Sequence, residues 1–468
     1  MPERLVVVLD IGKTHAKLSL WSPGGDLVRR ERRANARVAG PHYSTLDVAG
    51  IEDWLTETLK GFGSVGDIGA IVPVAHGAAA AIIRDGGLAA PVMDYEFDPP
   101  PELRATYRAQ RSAFSETGSP AMGMALNLGL QLHCIEHFYP EALHGDAQIL
   151  PWAQYWAWRL TGVAVSEVSS LGAHTDLWAP EQRAPSAMAR RRGWAQRLAP
   201  RRRAHERLGP LTEKWRARTG LGQDVMVHAG VHDSNAALCS ARAHPEFANT
   251  DATLTSTGTW FVSMRAPASE AGAPKLLENS GCLFNVDVEE NPVPTALFMG
   301  GREAELLGGA RLDDAGRQQA LVAASARVMA MGAMALPSMV EGAGFFPDAA
   351  GAWRDEPPDR TERDAAIALY LALMTDVGLG RIESTGTVLV EGRFANCELF
   401  TRALAALRPR DSIYVSADES DVSLGALRLI CPARGGAGVL KRVAPLDHDI
   451  AEYRSAWRAQ ISARTRRA

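Results

Sequence analysis

Three short segments carry side chains suited to chemistry on phosphate. The first is Asp10-Ile11-Gly12-Lys13-Thr14, in which an acidic residue ends a valine-rich run and a glycine turn with a hydroxyl follows. Backbone N–H groups of such a turn bind phosphate oxygens, and a carboxylate beside them holds a hydrated Mg²⁺. Lys13 could contact a phosphate oxygen directly. A Walker P-loop is excluded, because the glycine it requires five residues before Gly12 is Val7.

The second segment is a hydroxyl-rich turn within an apolar stretch, Thr255-Ser256-Thr257-Gly258-Thr259. Such a turn is suited to enclosing phosphates from the opposite side, and taken alone it is equally typical of a plain hairpin. The third segment ends an apolar strand at Gly230 and presents Asp233 before a helix of small residues. Asp233 is either the N-cap of that helix or a general base that accepts a hydroxyl proton. The residues alone leave both readings open.

Strands and helices alternate around the first of these segments. Leu5 to Leu9 and Lys17 to Trp21 have strand patterns on either side of the glycine turn, and Ile51 to Leu59 has helical spacing. Ile68 to Val74 resembles a central strand and leads into His76-Gly77. This alternation predicts an α/β domain. His76 is either a hydrogen-bonded histidine at a strand end or a ligand contact.

The chain of 468 residues is too long for one ordinary core, so two domains are expected. A second strand, glycine turn and strand over Thr253 to Met264 repeats the opening pattern, which suggests two domains of related architecture. We place an N-terminal domain at 1–244, a C-terminal domain at 245–435 and a tail at 436–468. The tail is expected to pack back as a helix.

Further helices are predicted over Ala121 to Phe138 and Pro151 to Leu160. The segment from Arg183 to Arg218 is rich in arginine, which is typical of a solvated helical face. A polyanion site there would need aromatic stacking residues or a larger positive charge. His133 and His137 have a spacing that metals use, but no third ligand is evident.

Composition bounds the classes of function. Fifty basic against 54 acidic residues give a net charge of −4, which does not select nucleic acid as a partner. No signal-peptide pattern is present, and no apolar run reaches the roughly 18 residues that span a bilayer. A cytoplasmic protein is therefore expected. The five cysteines are scattered and odd in number, which predicts reduced thiols rather than a disulfide framework.

Several motifs, taken in order, resemble the landmarks of the FGGY carbohydrate kinases. They cover most of the chain from residue 5 to about 430, and the most specific of them is the motif that begins at Leu150. In sequence they are DIGKT at 10–14, LPWAQYWAWRLTG at 150–162 followed by SEVSSLGAHTDLW at 166–178, HAGVHDSNAAL at 228–238, STGTW at 256–260 and VEGRFANCELFTRALA at 390–405. The family implies two ribonuclease-H-like domains of the actin and hexokinase superfamily with a catalytic cleft between them, where a sugar and MgATP meet.

The resemblance also assigns roles to individual residues. It makes Asp233 the catalytic base and Asp10 the Mg²⁺-associated carboxylate. His76 lies where relatives that use xylulose carry a methionine-histidine-glycine signature, so it is expected to contact the sugar. Residues expected to hold ATP are Gly12, Lys13, Thr14, Gly258, Thr259, Gly392 and Asn396. The expected reaction is transfer of the γ-phosphoryl group to a hydroxyl of a ketose of the xylulose, fuculose or rhamnulose type.

This sequence departs from the family at two places. Lys13 replaces a small or hydroxyl residue, and Glu391-Gly392-Arg393 stands where relatives have two glycines. Two alternatives stay open: a nucleotide-driven scaffold protein of the actin or Hsp70 kind, which shares the phosphate turns but has no sugar pocket, and a degenerate kinase that senses sugar without turnover, which Glu391 and Arg393 suggest. The sequence does not fix the oligomeric state, and a homodimer is compatible with it.

Overall fold

The computed structural model describes residues 4–248, 250–266, 274–309, 311–416, 422–432 and 438–465. The chain forms two compact units. The first comprises Met1–Ser240, Phe284–Pro292 and Asp421–Gly436, and the second comprises Ala241–Leu283, Val293–Ser420 and Ala437–Ala468. Two segments of the second half thus belong with the first unit. The domain limits at 244/245 and 435/436 stay sequence predictions.

The N-terminal part of the chain alternates strands and helices. Its strands are β1 Leu5–Ile11, β2 His15–Trp21, β3 Leu27–Ala34, β4 Arg37–Ala39, β5 Ser44–Leu46, β6 Ile68–Ala75, β7 Ala80–Arg84, β8 Gly87–Leu88, β9 Gln148–Pro151, β10 Trp178–Ala179, β11 Ala184–Pro185, β12 Arg207–Pro210, β13 Met226–His228 and β14 Val231–His232. Its helices are α1 Val48–Gly63, α2 Pro101–Arg108, α3 Phe114–Thr117, α4 Leu128–Phe138, α5 Trp152–Thr161, α6 Val168–Leu171, α7 Ala187–Arg191, α8 Glu213–Thr219 and α9 Asp233–Ala241, with a 3₁₀ turn at Pro140–Leu143.

The remaining part of the chain repeats this mixture. Its strands are β15 Ala252–Thr257, β16 Phe261–Ala266, β17 Cys282–Val286, β18 Pro292–Phe298, β19 Met334–Leu336, β20 Ala352–Arg354, β21 Thr387–Gly392, β22 Ser412–Ser416 and β23 Leu440–Arg442. Its helices are α10 Gly300–Leu306, α11 Gln318–Met331, α12 Arg360–Arg381, α13 Glu398–Leu407, α14 Val422–Ile430 and α15 Ala451–Thr465, with 3₁₀ turns at Ala315–Arg317 and Arg393–Asn396. Helix α14 lies in the first unit.

A mixed sheet organises the first unit, with strand order β12-β13-β6-β1-β2-β3 and β14 paired to β6. Strand β1 is buried on both faces, which explains why its sequence is a continuous apolar run rather than an alternation. Val6 and Val8 pack against Leu427 of α14 on one face. On the other face, Val7 and Leu9 pack in one core with α1, α5 and α8.

The second unit is built around strands in the order β18-β16-β15-β21-β22-β23. Strand β15 is antiparallel to β16 and parallel to β21, which confirms the predicted strand, turn and strand over 253–264. Helix α12 is almost wholly buried, and it packs with α11, α13 and α15 in the core of this unit.

The predicted C-terminal helix is present as α15, and it packs on the second unit. Trp457 is fully buried, and its indole N–H donates to the carbonyl of Ala335 at 2.9 Å. Asp376 of α12 forms ion pairs with Arg458 at 3.1 Å and Arg454 at 3.7 Å. A buried tryptophan and a shared carboxylate therefore fix this helix.

Two predicted helical segments are wrong in extent. The helix predicted from residue 121 begins only at Leu128, because Asn127 ties the preceding loop to its surroundings. The Asn127 amide donates to the carbonyls of Pro120 at 2.9 Å and His174 at 3.1 Å. The segment 183–218 is not one helix: it contains the short strand β11, the short helix α7, strand β12 and the start of the short helix α8. Its arginines do not form one solvated face, since Arg192 pairs with Glu136 and Arg218 with Glu52.

Two further features bear on the class of protein. Within the described residues, no helix combines the length and apolar character that crossing a membrane requires. None of the five cysteines forms a disulfide, and Cys134, Cys282 and Cys397 are buried.

Candidate active site

Parallel pairing brings the carboxyl ends of three strands of the first unit to one edge of its sheet. Ile11 of β1 is level with Ala75 of β6, and Ala75 is level with His232 of β14. Asp10 and Asp233, which the sequence separates by more than 200 positions, therefore lie at the same edge. Ligands of open α/β sheets bind outside the carboxyl ends of such strands.

Asp233 presents one held and one open carboxylate oxygen. Its Oδ1 accepts hydrogen bonds from the backbone N–H of Ser234 at 2.6 Å and the hydroxyl of Ser234 at 3.2 Å. No hydrogen bond reaches Oδ2 from any residue that the structure describes. The contact is to the next residue, not to the N–H groups two or three positions on that an N-cap serves. Burial raises the pKa of Asp233 to about 6, although the bonds from Ser234 and the charge of Lys17 act to lower it. The geometry favours a proton acceptor over a helix cap.

Asp10 is a second carboxylate in the same environment. It is 7% exposed, and the Lys17 ammonium lies 3.6 Å from its Oδ2. Burial raises the pKa of Asp10 to about 6; Lys17 lowers it, and the negative charge of Asp233 raises it further. Asp10 and Asp233 are thus two carboxylates with elevated pKa values, close enough for the charge of Asp233 to raise the pKa of Asp10.

This pair suits a hydrated Mg²⁺ ion. Magnesium keeps several waters and uses one or two protein carboxylates together with substrate phosphates. In the parts of the chain that the structure describes, no three His, Cys, Asp or Glu side chains converge on a cation position. An ion beside Asp10 would relieve the repulsion between the two carboxylates, so the residues present fit this cation.

His76 follows strand β6 with both of its ring nitrogens buried and without a hydrogen-bond partner. Its ring meets the ring of Tyr95 edge-on, with 5.7 Å between centroids. Burial lowers the pKa of His76 to about 3, and the charge of Lys13 adds to this. The imidazole is therefore neutral, with one donor and one acceptor to offer to a substrate hydroxyl.

Lys13 is engaged by an ion pair instead of being free for phosphate. Its ammonium lies 2.5 Å from Oδ2 of Asp94, a fully buried side chain, and 5.2 Å from the centroid of the Tyr95 ring. Asp94 also accepts from Arg37 at 2.9 Å. The expected direct contact between Lys13 and a phosphate oxygen competes with this pair.

The rest of the first turn is held by Asn35. The Asn35 amide donates to the carbonyl of Gly12 at 2.8 Å, and the Asn35 N–H donates to the carbonyl of Thr14 at 2.8 Å. The side chain of Thr14 is exposed. A turn fixed through its carbonyls is free to point N–H groups and the threonine hydroxyl outward.

The second unit has a corresponding edge. Thr257 of β15 is level with Gly392 of β21, so the turns after these two parallel strands adjoin. Gly258 and Thr259 are exposed in the turn that follows β15. Gly392 has φ of +82°, and a Cβ there would lie 2.3 Å from the carbonyl oxygen of Thr257, so the position requires glycine.

The departures at 391 and 393 have structural partners within this unit. Glu391 is 6% exposed and accepts from the Ser256 hydroxyl at 2.6 Å, while Arg393 pairs with Asp313 at 3.0 Å. Glu391 therefore joins the ends of β15 and β21, and Arg393 joins the turn after β21 to the loop at Asp313. Asn396 is exposed at the end of the 3₁₀ turn that follows β21.

The specific motif at 150–178 contacts the chain around strand β14, which leads directly into Asp233, a link that sequence reasoning missed. The Gln154 amide donates to the carbonyls of Ala229 and Gly230, each at 3.2 Å. Buried Glu167 accepts from the backbone N–H of Ser169 at 3.0 Å. The Ser169 hydroxyl in turn accepts from the N–H of His232 at 3.3 Å.

Sequence reasoning also missed His232, Asn235, Asp94 and Tyr95 as neighbours of the site. For His232 the available signal was its position directly before Asp233. Asp94 and Tyr95 lie in an irregular stretch whose approach to Lys13 depends on tertiary structure.

Comparisons with known proteins point to one family of enzymes. The family described as "Carbohydrate kinase FGGY, C-terminal domain" matches residues 249–438. A crystal structure of a carbohydrate kinase from Novosphingobium aromaticivorans is 45% identical, with a TM-score of 0.94, over 99% of this chain and 100% of that one. A search of curated proteins finds no match.

More distant structures share the fold alone. A ligand-bound xylulose kinase from Lactobacillus acidophilus has a TM-score of 0.79 at 13% identity, over 99% of this chain and 98% of that one. A Plasmodium falciparum glycerol kinase with ADP has a TM-score of 0.78 at 13% identity, with the same coverage.

The two-domain α/β fold and these matches define a phosphotransferase of the actin and hexokinase superfamily, as the sequence predicted. The chain belongs to the FGGY carbohydrate kinases. It is thus a kinase that acts on a carbohydrate with ATP, which decides against the scaffold alternative.

Proposed function

We propose that this enzyme transfers the γ-phosphoryl group of ATP to a hydroxyl of a neutral ketose, of the xylulose, L-fuculose or L-rhamnulose type, with Asp233 as general base. The observation that carries the proposal is the open Oδ2 of Asp233, at the strand ends beside Asp10 and with a pKa raised to about 6 by burial. A base of that pKa is ionised at neutral pH yet basic enough to accept a proton.

The reaction balances with Asp233 as proton acceptor. The substrate hydroxyl oxygen forms a bond to the γ-phosphorus while the bond from that phosphorus to the β–γ bridging oxygen breaks, and ADP leaves. The hydroxyl proton passes to Oδ2 of Asp233, while the bonds from Ser234 keep Oδ1 in place. Positioning and charge stabilisation supply most of the catalysis in such transfers.

ATP contacts are proposed at the turns of both units. In the first unit, Gly12, Thr14 and the backbone N–H of Lys13 serve the phosphates, while the Lys13 ammonium stays paired with Asp94. In the second unit, Gly258 and Thr259 serve them. Gly392 and Asn396 are assigned to the adenosine. Asp10 would hold Mg²⁺, which when bound neutralises charge on the phosphates.

Charges near Asp233 favour a neutral sugar over a sugar acid. A carboxylate on the substrate would call for a cation that is not already paired, but Lys13 is bound to Asp94 and Lys17 lies beside Asp10. His76 is neutral because of its low pKa. Its two unpartnered ring nitrogens suit a hydroxyl, which donates one hydrogen bond and accepts another. A cytoplasmic location and a homodimeric state stay predictions.

The test is to incubate the enzyme with MgATP and a panel of ketoses, aldoses, polyols and aldonates, following products by phosphorus NMR. One equivalent of a ketose phosphate per ADP is expected. If an aldonate or glycerol is the best substrate by kcat/KM, the ketose proposal is wrong although the enzyme remains a kinase.

A further inference from the structure

His232 lies between Asp233 and Asn235 at the start of helix α9. Its Nε2 is 3.2 Å from Oδ1 of Asp233, and its Nδ1 is 3.3 Å from the Asn235 side-chain nitrogen. The His232 side chain is 6% exposed, and Asn235 is 1% exposed. The three side chains lie in polar contact one after the other, and the series ends at the same carboxylate oxygen that Ser234 contacts.

The orientation of the Asn235 amide assigns the proton of His232 to one of its two ring nitrogens. The amide NH₂ can only donate, so Nδ1 is the acceptor and the hydrogen is assigned to Nε2. The Nε2–H group then lies beside Oδ1 of Asp233, with 3.2 Å between the nitrogen and the oxygen. Burial lowers the pKa of His232 to about 4, so the ring presents its N–H dipole to Oδ1 without a positive charge near neutral pH.

Packing keeps the imidazole in this position. The loop after His76 passes so close that a Cβ on Gly77 would lie 2.9 Å from Nε2 of His232 and 2.5 Å from the Cβ of Ala173. The backbone N–H of His232 is held by the Ser169 hydroxyl at 3.3 Å. Both the ring and the backbone of His232 are therefore constrained.

We propose that His232, with its tautomer set by Asn235, is a positioning residue that holds Oδ1 of Asp233 so that Oδ2 faces the substrate hydroxyl. The inference rests on the proposed function, in which Asp233 is the base. His232 exchanges no proton in the reaction: its Nε2–H stays beside Oδ1 before and after Oδ2 is protonated. Its contribution is orientation, so its removal should lower kcat more than it raises KM for the sugar.

The test compares His232→Leu with His232→Gln in sugar-dependent ADP release. Leucine fills the space without a donor, whereas the glutamine amide restores an N–H near the position of Nε2. His232→Leu should lose about 10- to 100-fold in kcat, the range typical of lost outer hydrogen bonds, with KM for the sugar within about threefold. His232→Gln should recover kcat to within about fivefold of wild type. Melting temperatures of both variants verify that they fold.

Asn235→Ala and Asp233→Asn complete the set. Asn235→Ala removes the amide that assigns the proton of His232 to Nε2. The loss in kcat should lie between the losses of the Gln and Leu variants. If Asp233→Asn is inactive while His232→Leu keeps wild-type kcat, the inference is overturned and the base assignment stands. An equal loss in the Leu and Gln variants at unchanged melting temperature also overturns it. An active Asp233→Asn enzyme overturns the proposed function itself.

Discussion

Asp233 differs from an ordinary surface carboxylate in having two unequal oxygens. Ser234 and His232 both contact Oδ1, while no described residue occupies Oδ2. Around it stand the carboxylate of Asp10, the ammonium of Lys17 and the phenol of Tyr95. Because burial and neighbouring charges together bring the pKa of Asp233 to about 6, its carboxylate is ionised, and can accept a proton, at pH values above about 6.

The pH dependence of kcat/KM for the sugar should reflect this base. Because burial raises the pKa of Asp233 to about 6, kcat/KM should fall as pH drops through about 6. The pKa of Asp10 is also raised to about 6, so the fall of kcat/KM on the acidic side reports the joint titration of Asp233 and Asp10. The measurement is made between pH 4.5 and 8.5 at saturating MgATP, with enzyme returned to neutral pH as a control for unfolding. A profile that stays flat down to pH 4.5 would contradict the raised pKa.

At the scale of elements, the strands around the site could be predicted from the sequence, but the pairing of these strands with one another could not. The apolar run of β1 and the strand before His76 are local patterns, and both strands form as expected. The meeting of their ends with β14 depends on parallel pairing across long stretches of chain. The loop before Leu128 was misassigned because Asn127 finds partners outside its own segment.

Gly77→Ala tests the packing of the loop after β6 against His232. A methyl group there would overlap Ala173 and His232, so we expect the ring to shift and kcat to fall about 10-fold or more. Gly87→Ala is the matched control, because a Cβ at Gly87 meets nothing within 4 Å. Both variants are assayed for sugar-dependent ADP release and for melting temperature. Full activity in Gly77→Ala would show that the loop tolerates the added atom.

At the scale of the whole molecule, each unit places short turns after parallel strands of its own sheet. The similarity of 10–14 and 255–259 was visible in the sequence, and both follow central strands. The sequence does not reveal that the first unit is discontinuous, with 284–292 and 421–436 belonging to it. Contacts between segments distant in sequence, such as Leu427 with Val8, determine this membership.

The stability of the second unit should depend on its terminal helix. Trp457 is fully buried and donates a hydrogen bond to Ala335, so Trp457→Ala should cost about 3–5 kcal/mol of unfolding free energy. Val439 is 78% exposed, so Val439→Ala is the control and should change the free energy of unfolding little. Urea unfolding followed by circular dichroism gives both values. A loss for Trp457→Ala no larger than that of the control would mean that α15 does not stabilise this unit.

The most direct test of the central claim is sugar-dependent ADP release with MgATP, measured for wild type and Asp233→Asn side by side. We predict saturable release with the preferred ketose, and a loss of about 10²- to 10⁴-fold in kcat for the variant at an unchanged melting temperature. Wild-type turnover in Asp233→Asn would contradict the assignment of Asp233 as the base.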